Sequence, residues 1–317
     1  MNLNVCMTGS RMSVSVCIAT YRRNGALDAL LGDLSHQMHK PDEVVVVDND
    51  AAGGAEAIVQ SWRARGLPFP IRYAIQPERN ISLTRNRTVE LASGEWLAFV
   101  DDDERVPESW LLVMLLSLRT GADGILGPVD PVLPPNAPKW IRCGRFYDWF
   151  RMASGTTVPP NQLRFGNIVL RGDLLRSNTP PFDPAYGLTG GEDGDLLGRL
   201  ARQGARFIWC DQALVYEPVE TSRLSLRWLL LRALRGGQDF ARHTFAGLYG
   251  DPTLLRRVQL FLRALVQMLV AALLVLVVWP GGRHRAAYWL IRSSANLGKL
   301  SAFYGLHYSE YASGPAR

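Results

Sequence analysis

The sequence predicts an α/β fold built on a mostly parallel, Rossmann-like sheet. Short apolar runs rich in β-branched residues alternate with stretches that carry apolar residues at helical spacing. Alternation of this kind is typical of βαβ units with right-handed crossovers. In addition, polar residues end three of the predicted strands, at Thr20, Asp48 and Asp101. Because ligands bind at the carboxyl ends of parallel strands, we expect these three residues to lie at one site.

The elements follow one another in a regular order. The strand over 14–19 precedes a helix over 25–38 that places four leucines on one face, and proline ends this helix. The run over 128–163 is rich in proline and aromatic residues and predicts an irregular excursion over the edge of the sheet or, alternatively, a satellite hydrophobic cluster. Further strands are predicted over 43–47, 71–75, 96–100, 124–127, 165–170, 207–210 and 213–216, and further helices over 53–62, 80–92, 110–118 and 192–200.

Charge and cysteine content limit the environment of the protein. The net charge of +6 arises entirely after residue 250, so a basic tail follows a neutral body. Such a tail favours an acidic neighbour, either anionic lipid or nucleic acid, and its apolar core favours lipid, so no nucleic-acid partner is expected. The four cysteines have no metal-binding spacing, and Cys17 and Cys210 lie in apolar runs, which predicts reduced thiols in a reducing compartment.

An acidic cluster follows the most apolar of the predicted strands. In the stretch WLAFVDDDE, residues 96–100 form a buried strand and Asp101, Asp102 and Asp103 follow at once. Carboxylates at this edge of a sheet suit a hard cation, Mg²⁺ or Mn²⁺. Strand alternation predicts that Asp101 and Asp103 share one side and Asp102 the other. The alternative is a solvated acidic turn before a helix.

A second acidic group follows a pair of glycines. Glu192 and Asp193 come directly after Gly190 and Gly191 and begin a predicted helix. A carboxylate on a glycine hinge could act as the general base for a substrate hydroxyl. Alternatively, these residues only complement a helix N-terminus.

The chain after residue 220 predicts helices that associate with a membrane. Residues 221–250 form an amphipathic basic segment, whose helix we expect Gly236 and Gly237 to interrupt. Residues 251–317 are hydrophobic and basic, and 264–279 carry no charge. Sixteen residues are slightly short of the ~20 that span a bilayer, so an embedded helix, an interfacial helix and a buried soluble helix stay open. Residues 1–12 are expected to be a disordered lead before the domain at 13–220.

In this order, the motifs resemble inverting glycosyltransferases of family 2, which have the GT-A fold, and in particular bacterial succinoglycan-type exopolysaccharide glucosyltransferases. The resemblance covers roughly residues 13–245. The stretches that carry it are VSVCIATYRR (14–23), DEVVVVDND (42–50), ISLTRNR (81–87), GEWLAFVDDDE (94–104), FDPAYGLTGGED (182–193) and LRWLLLRALRGG (226–237).

The resemblance implies a role for each matching residue. Asp193 would be the catalytic base, with Glu192 positioning the acceptor or the base. Asp103 and Asp101 would hold the metal, Mg²⁺ or Mn²⁺. The residues implied in binding the nucleotide sugar are Thr20, Tyr21, Arg22, Asp48, Asp50, Arg85, Asp101, Asp102, Arg227 and Trp228.

The resemblance also implies partners and a place in the cell. The donor would be a nucleotide sugar, with UDP as the favoured nucleotide, and the acceptor would be a saccharide, which polyprenyl diphosphate could carry. The enzyme would then work at the cytoplasmic face of the bacterial inner membrane. Two other functions stay open, namely a nucleotidyltransferase and a non-catalytic subunit that binds nucleotide sugars. The first would require a glycine-rich loop where Thr20 to Arg23 stand, and the second would not require Glu192 and Asp193.

Overall fold

A computed structural model describes residues 12–309. The predicted disordered lead therefore lies outside the described residues except for Met12, which packs against the core. Residues 310–317 of the predicted tail also lie outside them.

A seven-stranded sheet forms the centre of the fold, in the order β3-β2-β1-β4-β7-β5-β8. Only β7 runs antiparallel to its neighbours, β4 and β5, so the predicted mostly parallel sheet is confirmed. Its strands are β1 (Val14–Thr20), β2 (Glu43–Asp48), β3 (Ile71–Ile75), β4 (Trp96–Val100), β5 (Gly124–Leu126), β7 (Asn167–Arg171) and β8 (Phe207–Trp209).

Helices cover both faces of this sheet and form a separate layer at the C-terminal end. Val44 and Val46 of β2 pack on one face, and Val45 and Val47 pack on the other, which explains the unbroken valine run. The helices are α1 (Asn24–Ser35), α2 (Glu56–Arg63), α3 (Ile81–Leu91), α4 (Trp110–Ser117), α5 (Lys139–Gly144), α6 (Gly172–Arg176), α7 (Glu192–Arg202), α8 (Leu226–Phe245), α9 (Leu254–Val278) and α10 (Arg283–Ala302).

A two-stranded parallel ribbon lies beside the sheet and differs from the sequence prediction. It consists of β6 (Val129–Val132) and β9 (Val215–Pro218). The first strand was expected to be irregular, and the second was expected over 213–216. Pro131 lacks an amide donor, so the sequence around it does not resemble a strand. In a ribbon of two strands each strand has a free edge, and a proline is tolerated there. The ribbon positions Glu217 and the chain that leads to α8.

The expected interruption of α8 at Gly236 and Gly237 is wrong. The helix runs without a break from Leu226 to Phe245, and of the two glycines only Gly237 serves packing. A Cβ atom on Gly237 would lie 1.9 Å from the carbonyl oxygen of Ala295 in α10. Likewise, a Cβ on Gly298 of α10 would lie 1.9 Å from the carbonyl oxygen of Leu234. The two helices therefore approach each other at backbone distance.

Helix α9 is the outermost element of the C-terminal layer. Ser294 of α10 donates to the carbonyl of Leu230 and Gln238 donates to Ser301, so α8 and α10 run parallel. Ser293 donates to the carbonyl of Met268, and α9 accordingly runs back along α10 in the opposite direction. Leu254–Gly281 is the only segment among residues 12–309 that is long and apolar enough to cross a membrane.

Candidate active site

The acidic cluster lies where β4 ends, beside the end of β1, as predicted. Thr20 donates from Oγ1 to Asp102 Oδ2 at 2.8 Å, which ties the two strand ends together. Arg23 places Nη1 3.0 Å from Asp102 and 2.9 Å from Asp103. Burial raises the pKa of Asp102 to about 6, against the lowering effect of Arg23. The prediction that Asp101 and Asp103 point to one side and Asp102 to the other is wrong. Strand β4 ends at Val100, and the aspartates follow it in a turn, where Asp102 and Asp103 share Arg23.

Arg85 joins the acidic cluster to the second acidic group. Its guanidinium lies 3.3 Å from Asp101 Oδ1 and 2.5 Å from Glu192 Oε1. Glu192 is buried, its Oε2 has no hydrogen-bond partner, and burial raises its pKa to about 7 although Arg85 lowers it. The two motifs that the sequence singled out thus meet through one guanidinium.

Asp193 lies at the start of α7, where it accepts a hydrogen bond from the backbone. Its Oδ2 accepts from the amide of Phe165 at 3.1 Å. Gly190 and Gly191 have φ values of 81° and 92°, in the left-handed region. A Cβ on Gly191 would lie 3.0 Å from the carboxyl group of Asp239 on α8. Glycine is therefore needed at this position both for its conformation and for the close approach of α8.

Arg223 is the arginine that reaches Asp103 from the α8 side. It lies 3.2 Å from Asp103 Oδ2 and 2.7 Å from Glu217 Oε1. Arg227, which the resemblance implied, is exposed, and none of the described hydrogen bonds or ion pairs joins it to the acidic cluster. Trp228 stacks on Tyr147 at 5.7 Å with the rings 22° apart. Trp228 of α8 is therefore part of a packed pair of rings. Arg223, and not Arg227, is the arginine that lies next to the carboxylate of Asp103.

Five of the ten residues implied in nucleotide binding lie at the ends of β1 and β2, namely Thr20, Tyr21, Arg22, Asp48 and Asp50. The guanidinium groups of Arg22 and Arg79 both lie near the ring of Tyr21, at 5.1 and 4.9 Å from its centroid. Arg22 also forms an ion pair of 2.8 Å with Asp50. Asp48 is buried and accepts from the amides of residues 50 and 55 and from the hydroxyl of Tyr73. Both oxygens of Asp48 therefore hold the loop that carries Asp50.

A group of arginines and aromatic rings near Asp193 was missed by the sequence analysis. Arg164 precedes Phe165 and stacks on Trp149 at 3.9 Å, and its Nη1 and Nη2 are buried without a hydrogen-bond partner. Arg232 of α8 lies 5.3 Å from Trp149 and 5.2 Å from Trp228. Burial lowers the pKa of Arg164 to about 10 and also lowers that of Arg232. No motif marks these arginines, because they meet only when the excursion folds over α8.

Asp101 and Asp103, which follow β4, are the candidate ligands for a divalent cation. Among residues 12–309 there is no group of three or more His, Cys, Asp or Glu side chains arranged to hold a metal. Asp101 and Asp103 provide carboxylate oxygens, the ligands that Mg²⁺ and Mn²⁺ prefer. With only two carboxylates, the remaining ligands would be water and substrate phosphate oxygens, as is usual for Mg²⁺ in phosphate-binding sites. The residues fit such an ion.

An open cleft of about 350 Å³ lies next to Asp103. The loop from Arg22 to Gly25 forms one wall, and Pro218 and Glu220 form the other. Its walls combine arginine side chains with the acidic cluster.

Comparisons with known proteins agree with this arrangement. The sequence profile of "Glycosyl transferase family 2" matches residues 15–166. The chain is 35% identical over 247 residues to the succinoglycan biosynthesis protein ExoM of Rhizobium meliloti, covering 74% of this chain and 76% of that protein.

Two solved structures share the fold at low identity. The mannosyltransferase PcManGT of Pyrobaculum calidifontis, in complex with GDP-Man and Mn²⁺, superposes with a TM-score of 0.63 at 18% identity, over 93% of this chain and 88% of that one. TarS of S. aureus in complex with UDP-GlcNAc gives 0.55 at 20% identity, over 94% and 93%. The profile match, the similarity to ExoM and the mixed sheet lead to one assignment: the chain belongs to glycosyltransferase family 2 and has the GT-A fold.

Proposed function

We propose that the protein transfers a hexose from a UDP-sugar to a saccharide acceptor with inversion at the anomeric carbon, in the synthesis of exopolysaccharide or a related surface glycan. The observation that supports this most is the bridge by Arg85. It joins Asp101 after β4 to Glu192, the neighbour of Asp193, so the proposed diphosphate site and the proposed base would lie close together. Relatives in exopolysaccharide and lipopolysaccharide synthesis support the pathway.

The donor would bind with its nucleoside toward β1 and β2. The ring of Tyr21 could stack on the base, and Thr20, Arg22 and Asp50 lie within the same loop region. The diphosphate would then lie over Asp101 to Asp103. Arg23 and Arg223 already border Asp103, and both could turn to phosphate oxygens, since guanidinium groups bind phosphates with paired hydrogen bonds.

Asp101 and Asp103 would hold the divalent cation. When bound, such an ion stabilises negative charge on the leaving diphosphate as a Lewis acid. The binding of GDP-Man and Mn²⁺ by PcManGT is consistent with this role. Arg223 would neutralise part of the same charge from the α8 side.

Asp193 would act as the general base. Its Oδ2 is held by the amide of Phe165, and among the described residues no hydrogen bond reaches Oδ1. This oxygen could take the proton of the acceptor hydroxyl while that hydroxyl attacks the anomeric carbon opposite the diphosphate. Glu192 would fix Arg85 and thereby the position of the donor. The ring of Trp149, 41% exposed, offers a surface on which an acceptor sugar could pack.

The acceptor would be a saccharide linked to a membrane lipid, with the enzyme at the cytoplasmic face of the membrane. The exposed apolar surface of α9 and the seven Lys and Arg residues between 252 and 309 support membrane association. Nucleotide sugars are substrates made in the cytoplasm, which places the catalytic unit on that side.

Two alternatives are less well supported. A nucleotidyltransferase would also use paired carboxylates, but family membership favours sugar transfer. A non-catalytic subunit would have no need of a buried Glu192 with an unpaired oxygen next to Asp193, since an unpaired buried polar group is costly.

Calorimetric titration with UDP tests the proposal. We expect the wild-type protein to bind UDP in the presence of Mn²⁺ and to bind it at least about tenfold more weakly in EDTA, since a charged contact contributes roughly 1.5–3 kcal/mol. The Asp103→Ala variant should lose the dependence on Mn²⁺. The control Asp130→Ala removes an exposed carboxylate that pairs with Arg151 and should behave as wild type. UDP affinity that is the same with Mn²⁺ and with EDTA would refute the metal role, and binding of no nucleotide would refute the donor.

A further inference from the structure

Helix α9 carries an apolar stripe along its entire outer face. Its exposed large residues recur at spacings of three and four, so they lie on one side of the helix. Leu273, Leu276 and Val277 are 62%, 74% and 67% exposed. The stripe consists of Leu254, Leu255, Val258, Leu262, Val266, Leu269, Val270, Leu273, Leu276 and Val277, and Trp279 follows it.

The packing of the C-terminal layer fixes how α9 can meet a membrane. Helix α10 lies between α9 and α8, and α8 packs on the catalytic unit, where His243 bonds to the carbonyl of Gly191 at 3.0 Å. Thus α9 runs alongside the body of the protein and does not project from it. A bilayer that α9 crossed would also have to enclose α10, because the two helices are packed antiparallel along their length.

The residues of α10 are unsuited to the interior of a bilayer. Arg292 lies near the middle of this helix and is exposed, and its guanidinium lies 4.8 Å from the ring of Tyr288 and 6.0 Å from that of Trp289. None of the described ion pairs neutralises Arg292, and Asn296 and Lys299 follow within two turns. A charged side chain inside a bilayer is costly, which favours an orientation in the membrane plane over a spanning one for this packed pair.

The charges around the stripe suit an anionic surface. Between residues 252 and 309 the chain has seven Lys or Arg residues and no Asp or Glu. Arg257 is exposed in the first turn of α9, Arg263 is exposed near its middle, and Arg283 and Arg285 are exposed at the start of α10. An apolar face bordered by cations is typical of helices that lie in the headgroup region of anionic membranes.

We infer that α9 lies in the plane of an anionic lipid surface, with its apolar stripe among the lipid tails and the mouth of the active site at the same surface. This inference rests on the proposed function, since it takes the acceptor to be membrane-linked.

The second part of the inference follows from the contacts of α10. Helix α10 packs on α5, and Ile291 in its first half joins the cluster of Ile141 and Tyr147, which also contains Val219, between the cleft residues Pro218 and Glu220. The turn between α9 and α10 is therefore at the active-site end of the layer. Trp279 and Tyr288, 64% and 42% exposed near this turn, are residue types that favour the membrane interface. A lipid-linked saccharide would thus approach the cleft from the surface on which the protein rests.

Flotation with vesicles tests the membrane surface. Full-length protein is mixed with vesicles of phosphatidylcholine, with and without phosphatidylglycerol, and we expect it to float with the anionic vesicles. The double variant Leu273→Asp/Leu276→Asp should bind about 10²-fold more weakly, because two apolar side chains leave the lipid. The control Leu116→Asp changes a leucine that is 50% exposed on α4 and should float as wild type. Unchanged flotation of the double variant would overturn the inference.

Depth measurements test the in-plane orientation. In a cysteine-free background, Leu255→Cys, Val266→Cys and Leu276→Cys each carry a fluorophore, and brominated lipids report its depth. An in-plane helix gives the same shallow depth at all three sites. A maximum depth at Val266 would show a spanning helix and overturn the inference. A third outcome would show instead that a second copy of the chain covers the stripe. In that case the wild-type protein is a dimer in buffer and never floats, and the double variant is a monomer.

The same preparations are titrated with UDP. Protein that binds UDP but no vesicles would overturn only the inference on α9, whereas protein that binds vesicles but no nucleotide would overturn only the proposed function.

Discussion

The two acidic groups of the site differ in how their charge is balanced. The aspartates after β4 are surrounded by arginines, since Arg23 and Arg223 approach Asp103 and Arg85 approaches Asp101. Asp193, by contrast, accepts one hydrogen bond from a backbone amide. Burial raises the pKa of Asp101 and of Asp102, Arg85 and Arg23 oppose this rise, and under the proposed function this group would hold the metal and the diphosphate. The second keeps an oxygen available for a proton, which is what a general base requires.

The strongest test of this difference is Asp193→Asn. We expect the transfer rate to fall by about 10²- to 10⁴-fold, because the amide cannot accept the proton. UDP affinity should stay at the wild-type value, since the donor contacts the other group. Initial rates with a radiolabelled UDP-sugar and calorimetry on the same preparation measure both effects.

Its matched control is Asp195→Asn, two residues along the same helix. Asp195 pairs with Arg199 at 2.9 Å, and none of the described hydrogen bonds or ion pairs joins it to Arg23, Arg85 or Arg223. Near-normal rates for Asp193→Asn, or an equal loss in Asp195→Asn, would remove Asp193 as the base.

A smaller effect is expected from Arg223→Gln. Loss of this guanidinium should lower UDP affinity by roughly 10- to 100-fold, the effect of one charge-assisted hydrogen bond. Arg227→Gln, on the exposed side of α8, should leave UDP affinity unchanged. If calorimetry shows that Arg227→Gln lowers UDP affinity more than Arg223→Gln does, Arg227 binds the nucleotide sugar as the resemblance implies. Arg223 would then not be the arginine that balances the charge of Asp103 for donor binding.

The smallest effect concerns the pH dependence of the transfer activity. It arises from Glu192, the member of the second acidic group that forms an ion pair with Arg85. Its pKa of about 7 means that it loses its negative charge, and with it the ion pair to Arg85, as the pH falls through 7. Activity should therefore fall below pH 7 in the wild type. The Glu192→Gln variant should have a lower, flatter profile between pH 6 and 8.

Asp239 provides the control for this profile. Burial also raises its pKa to about 7, but no described ion pair joins it to Arg85. We expect Asp239→Asn to keep the fall in activity below pH 7. A wild-type profile without a fall near pH 7 would contradict the role of the Glu192–Arg85 pair.

Much of the fold was predictable because its signals are local. The valine run of β2 is buried on both faces, and the four leucines of α1 pack against one core, as their spacing indicated. Cys17 and Cys210 are buried free thiols, as expected. Strand ends were predictable to within two residues for β1 to β4, since polar residues follow each apolar run. Thr20 and the aspartates after β4 lie together because neighbouring parallel strands end at one edge, although Thr20 bonds Asp102 and not Asp101, which the prediction named.

Other features depended on contacts between distant parts of the chain. Nothing near Gly237 in the sequence indicates that α10 will pack on it, so the glycines wrongly suggested a break in α8. The choice of Arg223 next to Asp103 is likewise decided by the ribbon of β6 and β9, which sets where α8 begins. The same holds for Arg164 and Arg232, which meet over Trp149.

The sequence by itself determined the sheet, the two acidic motifs and the apolar tail, because burial and alternation act between near neighbours along the chain. The tertiary structure alone decided which arginine balances which carboxylate and which face of α9 stays exposed. Side-chain charges act over a few ångströms in space, and residues such as Arg85 and Glu192 reach that distance only after folding.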